Sequence, residues 1–234
     1  MGKVRKTNQD IFAFNKLSDR CGYVLVCDGM GGQNGGNVAS QLSRDVIIKE
    51  VSAHLDESMD GMAIRKVMVN ALTAANDLVH QKALDEPLLA GMGTTAVLAV
   101  VKDYSAHIVH VGDSRAYLLS QNSLFQMTKD HSFVEMLVDR GKLTRLQAQH
   151  DPRKNQITRA IGVLPEIEVD YSKWRLQNGD KLLLCTDGLT NICPINIIAT
   201  ILGQYDAIQA TQHLINEANN RGGDDNITVV VTQI

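Results

Sequence analysis

Four aspartates stand where this chain could do chemistry: Asp28 in VLVCDGMGG, Asp113 in IVHVGDSRAY, Asp187 in LLLCTDGLT and Asp225 in GGDDNITVVV. Each sits beside a glycine or a small polar residue at the edge of a short run rich in Val, Ile or Leu. Such a run reads as a buried strand, so each carboxylate falls where a strand stops or starts. Strand ends can converge on one place. Carboxylates gathered without compensation repel one another and are driven to protonate, so a cluster of them is tolerable mainly around bound cations. Ligands offering oxygen, without Cys or His, point to magnesium or manganese, and water must complete shells that so few carboxylates cannot fill.

Other chemistries fit less well. None of the seven histidines is spaced as HExxH, and His107 and His110, three apart in an apparent strand, must point to opposite faces. Zinc is therefore disfavoured. The four cysteines, Cys21, Cys27, Cys185 and Cys193, lack CxxC spacing and read as reduced thiols in a core. A formal net charge of -3, with scattered basic residues, gives no electrostatic reason to expect nucleic acid. The N-terminal MGKVRKTNQD has no apolar segment behind it, and Lys6 stands where a myristoylation signal wants Ser or Thr. A cytoplasmic protein without a membrane span is expected.

With 234 residues, 44% hydrophobic, the chain can bury a sizeable core and is expected to form a single domain over residues 1–234. Strand-like runs cover residues 11–15, 23–27, 94–102, 106–111, 116–119, 168–173, 181–185 and 227–232. Helical runs cover residues 38–54, 62–84, 195–202 and 207–220. Ser132 with Glu135 and Thr144 with Gln147 each form a capping-box pattern, and Gly141 supplies a stop between them. This order is not the strict alternation of a doubly wound parallel sheet. A mostly antiparallel sheet system with helices outside is expected, in the α+β class.

An isolated Asp-Gly is a turn by default. Here the ordered set is Gly2-Lys3-Val4-Arg5 with Asn8-Gln9-Asp10, Asp28-Gly29-Met30-Gly31-Gly32, Gly93-Thr94-Thr95, Val111-Gly112-Asp113-Ser114-Arg115, Thr186-Asp187-Gly188 and Gly222-Gly223-Asp224-Asp225-Asn226. Taken together it resembles the bacterial type 2C metal-dependent Ser/Thr protein phosphatases, the PPM family. The resemblance runs from about residue 5 to residue 232. It implies a four-layer α/β/β/α sandwich, two central antiparallel sheets between helix pairs, with two manganese or magnesium ions in a channel at one edge.

The resemblance also implies roles. Asp28 would bridge both metals and the carbonyl of Gly29 would help hold the first. Asp187 and Asp225 would bind the second, with Asp224 as the alternative to Asp225. Asp113, with Asp187, would hold a weaker third ion. Arg5 would bind the substrate phosphate, a task a guanidinium fork suits, although Lys3, Arg5 and Lys6 taken alone read as a solvated basic tail. Asp10 would hydrogen-bond metal-held water. Met30 replaces a histidine that serves eukaryotic relatives as general acid and cannot donate a proton, so metal-held water, or as a second choice His131, takes that part. Residues 130–162 resemble the family's flap; His150 receives no role, because Asp151 separates it from the proline that follows it in many relatives.

The function so implied is hydrolysis of phosphoserine and phosphothreonine in proteins by a metal-bridging hydroxide, opposing a bacterial Ser/Thr kinase and acting as a monomer. Two cations close together supply the charge and the lowered water pKa that such a reaction needs. A silent phosphoprotein-binding regulator is the alternative, and a nuclease or phosphodiesterase is disfavoured by the acidic balance.

Overall fold

Apolar strand runs and helix-period runs resolve into a layered structure. The chain opens with β1 (Asp10–Lys16) and β2 (Cys21–Met30), followed by two long helices, α1 (Gly32–His54) and α2 (Gly61–Asp85). Strands β3 (Gly93–Thr94), β4 (Ala96–Lys102), β5 (Ser105–Val111), β6 (Arg115–Ser120) and β7 (Ser123–Gln126) come next, then the short helices α3 (Phe133–Asp139) and α4 (Arg145–His150). The last part contains β8 (Asp170–Arg175), β9 (Lys181–Cys185), the single turn α5 (Asp187–Thr190), α6 (Ile195–Gln204), α7 (Ala207–Asn220) and β10 (Val229–Gln233). The computed structural model describes residues 1–234, apart from the side chains of Gln33 and Asn34.

Two antiparallel sheets form the centre. One runs β1-β2-β4-β5-β8, with β3 attached to the end of β2, and the other runs β10-β9-β6-β7. β2 and β4 are buried on both faces for most of their length, which explains why they read as unbroken apolar runs instead of alternating ones. Three apolar cores separate four layers. Leu25, Leu98 and Val109 meet Ile47, Met68 and Leu72 of the α1–α2 pair. Val26, Val97 and Ile108 meet Leu118, Leu182 and Leu184 between the sheets. Leu183 and Val229 meet Ile198, Leu202 and Leu214 of α6 and α7. The class is α+β, with the sheet pair inside and the helix pairs outside. No helix among the described residues is long and apolar enough to cross a membrane.

Several elements depart from the sequence expectations, each for a local reason. The run expected as one strand over residues 94–102 breaks at Thr95, whose N–H turns to donate to the Asp28 carbonyl. α1 starts at Gly32, six residues before the expected Val38, despite the poor helix propensity of its glycines. Packing overrides propensity there: a Cβ on Gly36 would stand 2.7 Å from the Gly29 carbonyl. β8 and β10 lie two residues beyond the expected 168 and 227 starts. β7 is an exposed edge strand without an apolar pattern, and α5 is too short to leave one. Ser132 caps α3 by accepting from the Glu135 N–H, but the Glu135 carboxylate pairs with Arg145 at 3.3 Å, so that box is one-sided. The Thr144–Gln147 box is complete.

Leu182 is fully buried between the two sheets. Leu182→Ala is expected to destabilise the protein by about 3 kcal/mol through lost burial and a residual cavity, read as a lowered urea midpoint with an unchanged m-value.

Candidate active site

The expected aspartates meet in one cleft of about 550 Å³ at an end of the sheet pair. Asp28, Asp113, Asp187 and Asp225 all line it, together with Arg5, Gly29 and Met30. They reach it by different routes. Asp28 lies inside β2, two residues before its end, while Asp113 follows β5 and Asp187 opens α5 just after β9. Asp225 belongs to the loop between α7 and β10, four residues before the strand. Asp224 is exposed and lies outside the lining of the cleft.

Threonine hydroxyls and backbone amides hold the floor. Thr95 Oγ1 accepts from the Asp28 N–H at 3.0 Å and shares a 2.7 Å hydrogen bond with Ser114 Oγ, which links the Asp28 strand to the Asp113 turn. Thr94 Oγ1 donates to the Asp28 carbonyl at 2.8 Å. Arg115 grips Asp130 with a bidentate fork at 2.8 and 2.6 Å, fixing the other side of that turn. Gly29 is pressed from behind: a Cβ there would stand 2.0 Å from the Gly36 carbonyl. The residue must be glycine for α1 to approach.

Asp10 lies directly across the β1–β2 ladder from Asp28. Its Oδ2 accepts from Thr186 Oγ1 at 2.8 Å, whereas its buried Oδ1 has no partner among the described residues. Burial, then repulsion from Asp187, pushes the Asp10 carboxyl up to about 6. Burial followed by the charges of Asp187 and Asp130 raises Asp113 to about 7. Asp28 is driven well above the carboxylate range by burial and by Asp10, Asp187, Asp113 and Asp225, and Asp187 is raised by burial and Asp225. Asp28, Asp113, Asp187 and Asp225 are each partly buried, and Asp10 is buried. An orphaned buried oxygen beside crowded anions is a donor set that fits divalent cations.

Arg5 is no loose tail. Its Nη2 donates to Asp225 Oδ2 at 2.7 Å, and hydrogen bonds on either side of it, at Lys3 and Thr7, keep the exposed N-terminal segment at the cleft. Asn226 is the bolt. Its Oδ1 accepts from the Gln9 N–H at 2.8 Å and its amide donates to the carbonyls of Met1 and Thr7, while Lys3 N–H donates to the Gly223 carbonyl. Thr95, Thr186 and Asn226 stand in the motifs GTT, TDG and GGDDN, beside the residues expected to carry the chemistry. Neighbouring motif residues with hydroxyl or amide groups were the available signal.

The histidines are occupied elsewhere. His131 Nδ1 accepts from the Gly112 N–H at 3.1 Å, leaving its Nε2 proton for Asp170 Oδ2 at 3.3 Å, and the ring is absent from the cleft lining. Burial lowers it to about 4. It is not placed to protonate a leaving group there. His131 stacks on His110 at 4.6 Å, and with Asp170 they form a cluster of potential ligands. Arg159 Nη1 stands 3.2 Å from His131 Nε2 and donates to Asp170 Oδ1 at 2.8 Å, so a guanidinium takes the position a cation would need. His107 turns to the opposite sheet face and bonds Tyr171 OH. His150, exposed at the end of α4, bonds the Leu146 carbonyl. The segment containing α3 and α4 contributes Asn155 and Ile157 to the cleft.

A family model described as protein phosphatase 2C matches residues 3–222. The chain belongs to the protein phosphatase 2C family. It is 37% identical to the serine/threonine phosphatase stp of Listeria welshimeri, over 99% of this chain and 92% of that one. Serine/threonine phosphatase Stp1 from Staphylococcus aureus superposes with a TM-score of 0.93 at 31% identity, covering 100% of this chain and 91% of that one. The catalytic domain of the serine/threonine protein phosphatase PstP, solved in complex with two manganese ions, has a TM-score of 0.84 at 35% identity over 99% of this chain and 94% of that one. The two-sheet architecture of this phosphatase family member is thus shared with proteins whose names state a phosphatase activity.

The raised carboxyls give the cleft a pH signature. With Asp10 near 6 and Asp113 near 7, above the ordinary value close to 4, the folded metal-free protein holds extra protons between about pH 4 and pH 7. Its stability therefore falls as pH rises through that window. The metal-free protein is expected to melt roughly 5 °C lower at pH 7.5 than at pH 5, with the difference removed by manganese, as followed by calorimetry. Asp28→Asn, which removes a crowded charge, is expected to raise the metal-free melting temperature at pH 7.5 and to shrink the manganese effect.

Proposed function

We propose that this chain hydrolyses phosphoserine and phosphothreonine in proteins, with two manganese or magnesium ions held in the aspartate cleft. The observation that carries the reading is the convergence of Asp28, Asp113, Asp187 and Asp225 on one cleft with Arg5 at its side. Asp28 would hold both ions, with the Gly29 carbonyl helping to hold the first; Asp187 and Asp225 would hold the second, and Asp113 with Asp187 a weaker third. When bound, the cations supply positive charge to the phosphoryl oxygens and lower the pKa of the attacking water.

The chain's own groups do the rest. Arg5 exchanges Asp225 for the substrate, using its planar fork on two phosphoryl oxygens to orient the phosphorus. That exchange is easy because the pair is a solvent-exposed one, with side chains 56% and 37% accessible. The buried Oδ1 of Asp10, across the ladder from Asp28, would accept from water held beside the ions, while Thr186 holds its other oxygen. Met30 lines the cleft and offers no proton, so the leaving alkoxide takes one from water. Residues 130–162 act as the flap, through Asn155 and Ile157, at the cleft side. The substrates are phosphorylated proteins, among them a Ser/Thr kinase and its targets, met by a monomer in the cytoplasm.

Purified protein is expected to hydrolyse a phosphothreonine peptide with manganese and to stop on chelation. Asp225→Ala should lower kcat by at least ~100-fold, and Arg5→Ala should act chiefly by raising KM. Manganese binding by calorimetry without any turnover would refute the catalytic reading.

A further inference from the structure

The open edge of the first sheet carries binding capacity that the cleft does not use. Among the described residues β1 pairs with β2 alone. Gly29 N–H donates to the Gln9 carbonyl and Leu17 N–H to the Cys21 carbonyl, so odd-numbered residues of this stretch face β2 as the hydrogen-bonded pairs of the ladder. The N–H and C=O groups of Phe12 and Phe14 therefore point outward, away from the sheet. Their side chains are exposed as well, at 51% and 69%, with the rings parallel and 6.5 Å apart. Ile11 and Ala13, on the other face, pack beneath the α1–α2 pair. Phe12 and Phe14 instead stand opposite Val26 and Val24, on the face that elsewhere meets the second sheet. Two exposed aromatic rings with free main-chain donors and acceptors are features that a solitary sheet edge normally avoids.

Continuity with the cleft identifies the occupant. Arg5, Lys6, Thr7 and Gln9 line the cleft, and the next residue, Asp10, starts β1. At ~3.3 Å per residue, Phe12 and Phe14 lie roughly 10 and 17 Å along the strand from Gln9. A polypeptide whose phosphorylated residue enters the cleft reaches both rings within a few extended residues. We propose that β1 is a docking strand for the extended segment flanking the phosphorylated residue of a protein substrate. That segment adds to the sheet, bonding the main chain of Phe12 and Phe14 and laying alternate apolar side chains on the two rings. Main-chain pairing makes the recognition tolerant of sequence, and the rings favour Val, Ile or Leu at every second position. The inference rests on the phosphatase reading of the cleft and adds a second contact region for the same substrate.

The test compares four manganese-supported substrates: p-nitrophenyl phosphate, a four-residue phosphothreonine peptide, and two twelve-residue phosphothreonine peptides with alternating valines on one or the other side of the phosphorylated residue. Wild-type enzyme is expected to show a kcat/KM about tenfold higher for one long peptide than for the short one, through KM. Phe12→Thr with Phe14→Thr, which keeps strand propensity, should erase that advantage and leave p-nitrophenyl phosphate turnover unchanged. N-methylation of the long peptide at alternate backbone nitrogens should erase it for one parity and spare it for the other, using wild-type enzyme alone. Equal kcat/KM for long and short peptides, or an advantage that survives both changes, overturns the docking strand. So does a wild-type dimer in sedimentation that the double variant dissolves, which would assign the edge to a second copy of the chain. Failure of wild-type enzyme on p-nitrophenyl phosphate as well would strike the phosphatase reading itself.

Discussion

Mutual repulsion among carboxylates is the constraint around which this structure is arranged. Asp10, Asp28, Asp113 and Asp187 are held where protein excludes much of the water that would stabilise their charge, and each is displaced upward in pKa as a result. Left to itself, such an arrangement would relax by moving apart. It is prevented from doing so by uncharged groups: Thr94, Thr95 and Ser114 at the strand ends, Thr186 against Asp10, and the glycine contact that wedges α1 behind Gly29. The free energy of packing three apolar layers is thus set against a local electrostatic strain. Cation binding converts that strain into affinity.

The layered fold makes this possible by bringing strand ends to one edge. β2 and β5 belong to one sheet and β9 to the other, so Asp28 and Asp113 come from one layer and Asp187 from the next. The inter-sheet core of Val26, Val97, Leu182 and Leu184 sets their spacing. A shift of either sheet would change that spacing. The side chains far below the cleft are in this sense part of its geometry, and their close packing limits how far the carboxylates can drift.

What could be read from the chain divides along physical lines. Residues 181–185 and 207–220 were legible to the residue, because their apolar period is clean and turn or cap residues bound them. The gathering of aspartates was legible from their places at the ends of apolar runs and from the ordered motif set, and their charge pointed to cations. The start of α1 was hidden, since Gly35 and Gly36 argue against a helix and only the close approach to Gly29 explains it. The second sheet came through family likeness, because periodicity tells which face of a strand is buried and not which neighbour buries it. Asn226 escaped for a similar reason: its partners Met1, Thr7 and Gln9 lie at the other end of the sequence. Local pattern carries no information about contacts of that range.

The Asn226 bolt has a consequence for biosynthesis. It ties residue 9 to residue 226, a separation of 217 positions, and Arg5 meets Asp225 across 220. Such contacts are the last to become available to a chain emerging from the ribosome, and closing them is slow relative to the local helices and hairpins. A nascent chain can complete most of the first sheet and its helix pair and still lack the Arg5–Asp225 pair. The arginine beside the cleft is thus set in place by the same long-range closure that joins residues 1–9 to Asn226, and by no local element.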